Sequence, residues 1–181
     1  MRSAKRTHSI AALFLLISGG VAAQDSAFVV HGYFKETVFA AGYHYNFGDK
    51  VDGKRPESLH FAELAVWRTA GSVAGHHPVS FTYYGGSDIG LNTDRFTIGP
   101  KVGGFISIMI TGLGAEFCYY TDFNSGSWRF IPYIGACTPY FKLTFNPHVV
   151  ITNKDFQGLN SGHVNLTIRV AAIRKRVEFS R

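Results

Sequence analysis

The sequence predicts an all-β protein, an antiparallel, up-and-down transmembrane β-barrel of about eight strands, on three observations. Apolar and polar residues alternate with period two in segments of about ten residues, which is typical of strands with one apolar and one polar face. The connections between these segments alternate between long and short, as they do in bacterial barrels, and only the short connection at 124–126 breaks this alternation. Glycine (20 residues) and aromatic residues (16 Phe, 9 Tyr and 2 Trp) are abundant, which favours strands and turns over helices.

Residues 1–23 have the features of a cleaved secretory signal. Three basic residues (Arg2, Lys5 and Arg6) precede an apolar run and a small-residue cleavage site. We therefore predict a mature chain that begins near Gln24. Its barrel domain would cover residues 24–173, and a basic C-terminal tail would cover residues 174–181. No later apolar run reaches the roughly 20 residues of a membrane-spanning helix, so a helical anchor is not expected.

The charge of the mature chain argues against nucleic acid as a partner. Three of the 18 Lys and Arg residues belong to the predicted signal, which leaves 15 against 12 Asp and Glu. The small remaining excess is concentrated at the end of the chain, in Arg174, Lys175, Arg176 and Arg181. A basic face of the kind that binds nucleic acid is therefore not predicted.

Eight segments follow the alternating pattern. They are residues 35–47, 59–69, 78–84, 95–107, 111–123, 128–137, 141–146 and 163–170. Residues 28–33 form either a ninth short piece or the start of the first strand. The long connections are predicted at 48–57, 85–93 and 152–160, with Asp88 at a loop tip where Gly and Asp serve turn geometry. Long loops would face outward and short turns would face the periplasm.

One face of these strands is predicted to contact lipid, and the other is predicted to line the lumen. A soluble barrel would have to bury the charges of the polar face in its core, whereas a narrow membrane barrel can fill its lumen with ion pairs. Glycines on that face leave room for long basic side chains. The candidate lumen network is Glu36, His44, Arg95, Lys101, Glu116, Asp122, Arg129, Lys142 and Arg169. The candidate lipid-facing and girdle residues are Phe39, Tyr43, Tyr45, Phe96, Ile98, Phe117, Tyr119, Trp128, Phe130, Phe141 and Phe145, with Trp67 assigned to the same girdles.

Four short phrases resemble a known group of proteins. They are TIGPKVG at 97–103, YYTDF at 119–123, RFIPYIG at 129–135 and ITNKDF at 151–156. The chain resembles, over roughly residues 95–170, small eight-stranded outer-membrane β-barrel proteins of Gram-negative bacteria that usually have no assigned function. The resemblance implies a fold and a location but no activity, because none of the phrases is a catalytic motif.

The C-terminus departs from that group, whose members commonly end on an aromatic residue in the last strand. Here the chain continues past Val170 to Arg181, and Phe179 is the nearby aromatic residue. Two alternatives follow. Either the last strand is longer than its alternation indicates, or the assembly signal is internal and a basic periplasmic tail follows it.

The two cysteines are predicted to be free thiols. If Ser125 and Gly126 form the hairpin loop, Cys118 lies opposite Tyr133, four residues from Cys137. At about 3.3 Å per residue this offset is roughly 13 Å, beyond the roughly 7 Å Cα separation that a disulfide allows. A bulge that shifts the register would be needed to bring the two sulfur atoms together.

No catalytic residue, metal site or cofactor is predicted. Ser58 and His60 have the spacing of two residues on one strand face, but their order and surroundings do not match those of small lipid A deacylase barrels. His76 and His77 have no further ligand at metal-binding spacing. A lumen set that includes Glu116 could hold a perturbed carboxylate near a ligand, although a structural charge network is the favoured interpretation.

The favoured hypothesis is a non-enzymatic barrel of the outer membrane with a structural or interaction role and an unknown specific activity. Its expected partners are outer-membrane lipids and, during biogenesis, the barrel-assembly machinery. Two alternatives remain open: an outer-membrane enzyme that acts on lipid A or phospholipid, and a soluble periplasmic lipocalin-like binding barrel. The second alternative requires the opposite orientation, with the aromatic residues inside.

Overall fold

Nine strands make up the secondary structure of the part of the chain that the structure describes. The computed structural model describes residues 31–48, 58–73, 77–154, 156, 159 and 161–180, so the predicted signal lies outside it. The strands are β1 (His31–Asn46), β2 (Leu59–Val73), β3 (Val79–Gly90), β4 (Ile98–Ile108), β5 (Thr111–Thr121), β6 (Gly126–Cys137), β7 (Phe141–Pro147), β8 (Val149–Val150) and β9 (Gly162–Ser180). Within these ranges no helix is long and apolar enough to cross a membrane.

Eight of the strands close into an antiparallel barrel. Strands β1 to β6 pair in chain order, β9 pairs with both β1 and β7, and β7 pairs with β6 to close the ring. The two-residue strand β8 also pairs with β6, and it keeps the register of β7 after an interruption at His148. Pro147 has no N–H to donate, which accounts for a break at this point. The predicted all-β, up-and-down barrel of about eight strands is confirmed.

The strands are strongly tilted, which sets the width of the lumen. A row of directly opposed residues can be followed once around the barrel, from Lys35 of β1 across each neighbouring strand in turn. The row returns to β1 at Tyr45, ten residues further along the strand. A barrel of eight strands with such a stagger has an interior just wide enough for side chains to fill.

The two ends of the barrel differ. At the loop end lie the connections β1–β2, β3–β4, β5–β6 and β8–β9. At the turn end lie the connections β2–β3, β4–β5 and β6–β7, together with His31 and Ser180, which are opposite each other in the register of β1 and β9.

Strand β3 is longer than its alternation indicated, and the predicted loop over residues 85–93 is therefore wrong in its first half. The strand continues through Gly85 and Gly86 to Gly90, and Asp88 lies inside it. A side chain at Gly86 would overlap the Leu64 carbonyl and Ala65 of β2. This glycine therefore permits a close approach of two strands and does not mark a turn.

The last strand is also longer than predicted. Residues 174–180 pair with β1 and belong to β9, so the boundary at residue 173 is corrected and the longer last strand is the alternative observed. Phe179 lies opposite Gly32 near the turn end. Residues His31 to Thr37 of β1 are the pairing partners of this extension. Two register shifts between β1 and β9 lie between Thr37 and Ala40.

The β5–β6 hairpin has a four-residue turn over residues 122–125, and its predicted register is wrong by four residues. Asp122 Oδ1 accepts hydrogen bonds from the backbone N–H groups of Asn124 and Ser125, which fixes the longer turn. Cys118 consequently lies opposite Arg129. Both cysteines are buried and free, as expected from their separation along the strands.

Candidate functional site: the charge cluster of the lumen

Each strand from β3 to β7 carries one charged residue, and each of these five residues points into the lumen. They are Asp88, Lys101, Glu116, Arg129 and Lys142, and all are buried. Since side chains alternate between the two faces of a strand, their neighbours on either side point outward and are uncharged. Glu63 of β2 joins the same set from the adjoining strand.

Five of the inward charges form one compact group, which we call the central charge cluster. Its members are Glu63, Asp88, Lys101, Glu116 and Lys142. Lys101 Nζ lies 2.8 Å from Asp88 Oδ1 and 3.1 Å from Glu63 Oε1. Lys142 Nζ lies 3.8 Å from Glu63 Oε1 and 4.0 Å from Glu116 Oε2. All five side chains have no solvent exposure.

Neutral donors also bind each of the three carboxylates, and Glu116 Oε1 is a buried oxygen without a hydrogen-bond partner among the described residues. The Tyr84 hydroxyl donates to Glu116 at 2.6 Å, and the Tyr120 hydroxyl donates to Asp88 at 2.9 Å. Asn165 Nδ2 donates to Glu63 at 2.8 Å, and the Thr167 hydroxyl donates to the same carboxylate. A buried charge group is tolerated only when such hydrogen bonds compensate for the water that its members have lost.

Glycines opposite the charged residues make room for the cluster. Glu63 lies opposite Gly42, Asp88 opposite Gly99, Lys101 opposite Gly86 and Glu116 opposite Gly103. A Cβ at Gly42 would lie 2.8 Å from a carboxylate oxygen of Glu63, and one at Gly103 would lie 2.7 Å from the Glu116 Cβ. The inward glycines are therefore part of the cluster's packing.

His44 borders the cluster with donor atoms that could also bind a metal. Its Nε2 lies 3.0 Å from Glu63 and its Nδ1 lies 3.4 Å from Asp88, so these three residues have the proximity of a ligand set. The Lys101 ammonium lies against both carboxylates, at the position that a cation shared by them would take. The Lys101 ammonium is thus the cation that the carboxylates of Glu63 and Asp88 share in this structure.

Apolar layers lie on both sides of the cluster. Toward the turn end the layer consists of Val38, Ala40, Ala65, Trp67, Tyr84, Phe105, Tyr133 and Cys137. At the loop end it consists of Phe61, Cys118, Tyr120, Ile131, Phe156 and Leu159. Phe156 and Leu159 belong to the β8–β9 loop, and both side chains are buried in this layer at the loop end of the lumen.

A chain of histidines connects the central charge cluster with this loop. The His44 ring stacks on His163 with 4.4 Å between centroids, and His163 Nδ1 lies 2.8 Å from His148 Nε2. His148 Nδ1 contacts the Leu159 carbonyl at 2.5 Å, and Arg129 donates to the same carbonyl. The contacts hold the inward loop to the wall of the barrel.

The turn end contains a cavity of about 500 Å³. Its polar lining includes Glu36, Ser80, Ser107 and Lys175, and Glu36 Oε2 accepts a hydrogen bond from Arg169 at 2.8 Å. None of the central cluster residues lines this cavity. The cluster is therefore enclosed by protein and does not meet the mouth of the barrel.

Most of the predicted lumen residues lie inside. Glu36, His44, Lys101, Glu116, Arg129 and Lys142 are buried, and Arg169 is half-buried beside Glu36. Arg95 and Asp122 are exceptions because β4 begins only at Ile98 and β5 ends at Thr121. Arg95 is 66% exposed, and its guanidinium lies 3.7 Å from Asp122 outside the strands. The N–H groups of Ser125 and Asn124 hold the pKa of Asp122 below its ordinary value.

The predicted lipid-facing and girdle residues lie on the outer face of the strands, with two exceptions. Outward residues are Phe39, Tyr43, Tyr45, Ile98, Phe117, Tyr119, Trp128, Phe130, Phe141 and Phe145. Phe96 is exposed but precedes β4, where its ring stacks on Phe123. Trp67 was expected in a girdle but is completely buried against Phe105 in the lumen, because β2 turns its odd-numbered residues inward.

Glu63 and Asp88 belong to the lumen network but are not among the residues predicted for it. Glu63 lies in a weakly alternating strand, and Asp88 follows two glycines that indicated a loop. Asp88 is an even number of residues away from the inward Thr82 and Tyr84. The period-two alternation of β3, continued through Gly86, therefore predicts that Asp88 points inward.

Ser58 and His60 do not pair with each other in the described structure. The Ser58 hydroxyl is 2.7 Å from the Tyr45 hydroxyl, and His60 Nδ1 bonds to the Tyr43 hydroxyl. Asn92 bonds to the backbone of both residues and fixes the start of β2. The arrangement joins aromatic side chains at the loop end and does not prepare a nucleophile, which would need a base within hydrogen-bond reach.

In comparisons with protein-family models, curated proteins and solved structures, nothing matches this chain.

Proposed function

We propose that this chain is an integral outer-membrane β-barrel of a Gram-negative bacterium, with a closed lumen and a structural or interaction role. A cleaved signal over residues 1–23 would bring it across the inner membrane, and the barrel-assembly machinery would insert it. Outer-membrane lipids then surround the barrel. Its loops are available to partners outside the cell, and its central charge cluster holds the strands together.

The placement of charge carries this proposal. Strands β3 to β7 have one charged residue each, and all five point into the lumen. Their outward positions are apolar, aromatic or small, with Leu113 66% and Val102 62% exposed. A soluble barrel is selected for the opposite arrangement, because a continuous exposed apolar belt promotes aggregation in water. Lipid is the solvent that suits this outer face.

Aromatic residues near both ends support the same orientation. Tyr43, Tyr45 and the contacting pair Tyr119 and Trp128 lie on the outer face near the loop end. Tyr33 and Tyr140 lie exposed near the turn end. Amphipathic rings at two levels are the girdles expected where a barrel crosses the two interfaces of a bilayer.

The lumen supports a structural or interaction role over conduction or catalysis. The central charge cluster has no solvent exposure, and apolar layers separate it from both ends. A ligand would have to displace these layers to reach it. The surfaces left for a partner are the loops and the outer rims.

The proposal is tested by fractionation and gel mobility. Protein expressed in a Gram-negative host should float with outer membranes, and the detergent-extracted protein should migrate differently before and after boiling, because a closed barrel resists SDS until heated. Planar-bilayer recordings of the same sample should show no steady conductance. Recovery in the soluble periplasmic fraction without a heat-dependent shift would overturn the proposal. Steady conductance would contradict the closed lumen alone.

A further inference from the structure

The outward-facing Lys and Arg residues of the described strands are concentrated at one place, on β1, β2 and β9 near the turn end. In one row of the register Thr37 lies between Arg68 and Arg174, and in the next row Lys35 lies between Ala70 and Arg176. Directly opposed residues of neighbouring strands point to the same face. Arg68, Lys35, Arg174 and Arg176 therefore share one patch of the outer surface, which we call the basic patch.

The basic patch contrasts with the rest of the outer face. Strands β3 to β7 have no outward charge, and no Asp or Glu occupies the two rows of the patch. Glu178 belongs to the following row, opposite Tyr33. Toward the loop end the patch is followed at once by outward apolar residues, of which Phe39 is 53% and Val66 is 40% exposed. The cations thus lie at the edge of the apolar belt.

One guanidinium of the patch is held in place. Arg68 Nη1 donates to the Thr37 hydroxyl at 2.8 Å, across the β1–β2 pair. A guanidinium has five N–H donors in a planar fork, so this bond orients Arg68 and leaves further donors for an acceptor. Phosphate oxygens suit such a fork because they accept two parallel hydrogen bonds.

An apolar depression adjoins the patch. It has a volume of about 520 Å³, and it includes Lys35 together with the small residues Ala70, Gly71 and Ser72. Tyr33 and Phe81 line it as well, which makes its surface mostly apolar. A cationic rim beside an apolar depression matches a molecule with an anionic head and a hydrocarbon chain.

We propose that the basic patch binds the phosphate of an anionic glycerophospholipid in the leaflet at the turn end of the barrel, with an acyl chain along the adjoining depression. The inference rests on the proposed membrane location. Three positions that are distant in sequence, on β1, β2 and β9, form the site only when the barrel closes through the β1–β9 pair. Basic clusters at the membrane surface attract anionic lipids in this way.

The test compares lipid retention by the full mature barrel in nanodiscs of phosphatidylcholine with one fifth phosphatidylglycerol. Native mass spectrometry after mild extraction counts the phosphatidylglycerol molecules that stay bound. Wild type should retain phosphatidylglycerol several-fold above its share of the disc. The variant Lys35→Gln/Arg174→Gln should lose most of this enrichment, and adding Arg68→Gln should abolish it. The double variant keeps the Arg68–Thr37 bond, so folding is preserved for the comparison.

The matched control is Arg95→Gln/Lys154→Gln, which removes two exposed cations at the loop end. It should keep the wild-type enrichment. Equal retention by wild type and patch variants, or equal loss in the control, would overturn the inference. Insertion of wild type into pure phosphatidylcholine vesicles, measured by flotation, tests the membrane location separately: failure there defeats the proposed function, whereas insertion without lipid preference defeats only the phospholipid site.

Discussion

Lys101 Nζ and Asp88 Oδ1 lie 2.8 Å apart in the lumen although the two residues are not opposite each other in the register of β3 and β4. Lys101 is opposite Gly86, and Asp88 is opposite Gly99. The ion pair is therefore diagonal, and each charged side chain extends over a glycine of the neighbouring strand. This arrangement lets a lysine cross a narrow barrel and reach carboxylates from three strands.

Removal of the Lys101 ammonium should be strongly destabilising. Lys101→Met leaves Glu63 and Asp88 without their nearest cation, and loss of one partner of a buried ion pair costs about 3–5 kcal/mol. Urea unfolding of the refolded barrel, followed by gel mobility, measures the free energy. Lys154→Met, at an exposed position of the β8–β9 loop, is the control. A loss below about 1 kcal/mol would show that the cluster does not hold the strands together.

Glycine positions on the two faces of the barrel should respond differently to a side chain. At Gly103 a Cβ would lie 2.7 Å from the Glu116 Cβ and 2.8 Å from the Tyr84 ring, so Gly103→Val should cost about 1–3 kcal/mol by overpacking. At the outward Gly85 a Cβ would meet a single atom, at 4.0 Å. Gly85→Val should therefore be neutral. Thermal unfolding of both variants checks this, and similar losses would contradict the assigned faces.

The two tryptophans should report the orientation of the strands. Trp67 is completely buried in the lumen, whereas Trp128 is 48% exposed on the outer face. In vesicles of brominated phospholipid, quenching of fluorescence should persist in Trp67→Phe and largely disappear in Trp128→Phe. Quenching that depends on Trp67 would place the inner face of β2 against lipid and refute the orientation.

A charge introduced into the outer belt should be costly in a bilayer and harmless in water. Val102 is 62% exposed in the middle of β4, and an Arg facing lipid near the bilayer midplane costs about 2–4 kcal/mol. We expect Val102→Arg to lower the free energy of unfolding in vesicles by about that amount. Ile151→Arg, at an exposed position beyond β8, is the control. If Val102→Arg is as well tolerated as the control, the belt does not face lipid.

Both thiols should be inaccessible in the folded barrel. Cys118 and Cys137 are free and buried. A membrane-impermeant maleimide should label neither cysteine before boiling and both afterwards, without any reducing agent, as counted by mass spectrometry. Labelling of Cys137 alone in the folded protein would indicate that the turn-end layer opens to solvent.

The alternation along each strand, which is a local property, assigned most residues of the clearly alternating strands to the observed face, but it misplaced Trp67 of β2. Because side chains alternate with period two, Lys101, Glu116, Arg129 and Lys142 could be placed inward from the sequence alone. The same rule failed at Arg95 and Asp122, since alternation does not reveal where a strand ends. The actual ends depend on partners such as the β5–β6 turn, where Asp122 binds backbone N–H groups.

Which inward residues meet one another was decided only by the tertiary structure. Glu63 and Asp88 reach Lys101 because glycines in neighbouring strands make space and because the stagger of the closed barrel brings β1 to β5 into one level. The extension of β9 to Ser180 likewise depends on β1, a partner more than a hundred residues away in the chain. The sequence by itself thus determined the two faces and the strand number, since these follow from local periodicity. The register of the strands and the contacts between inward side chains depend on closure of the barrel, which is a property of the whole chain.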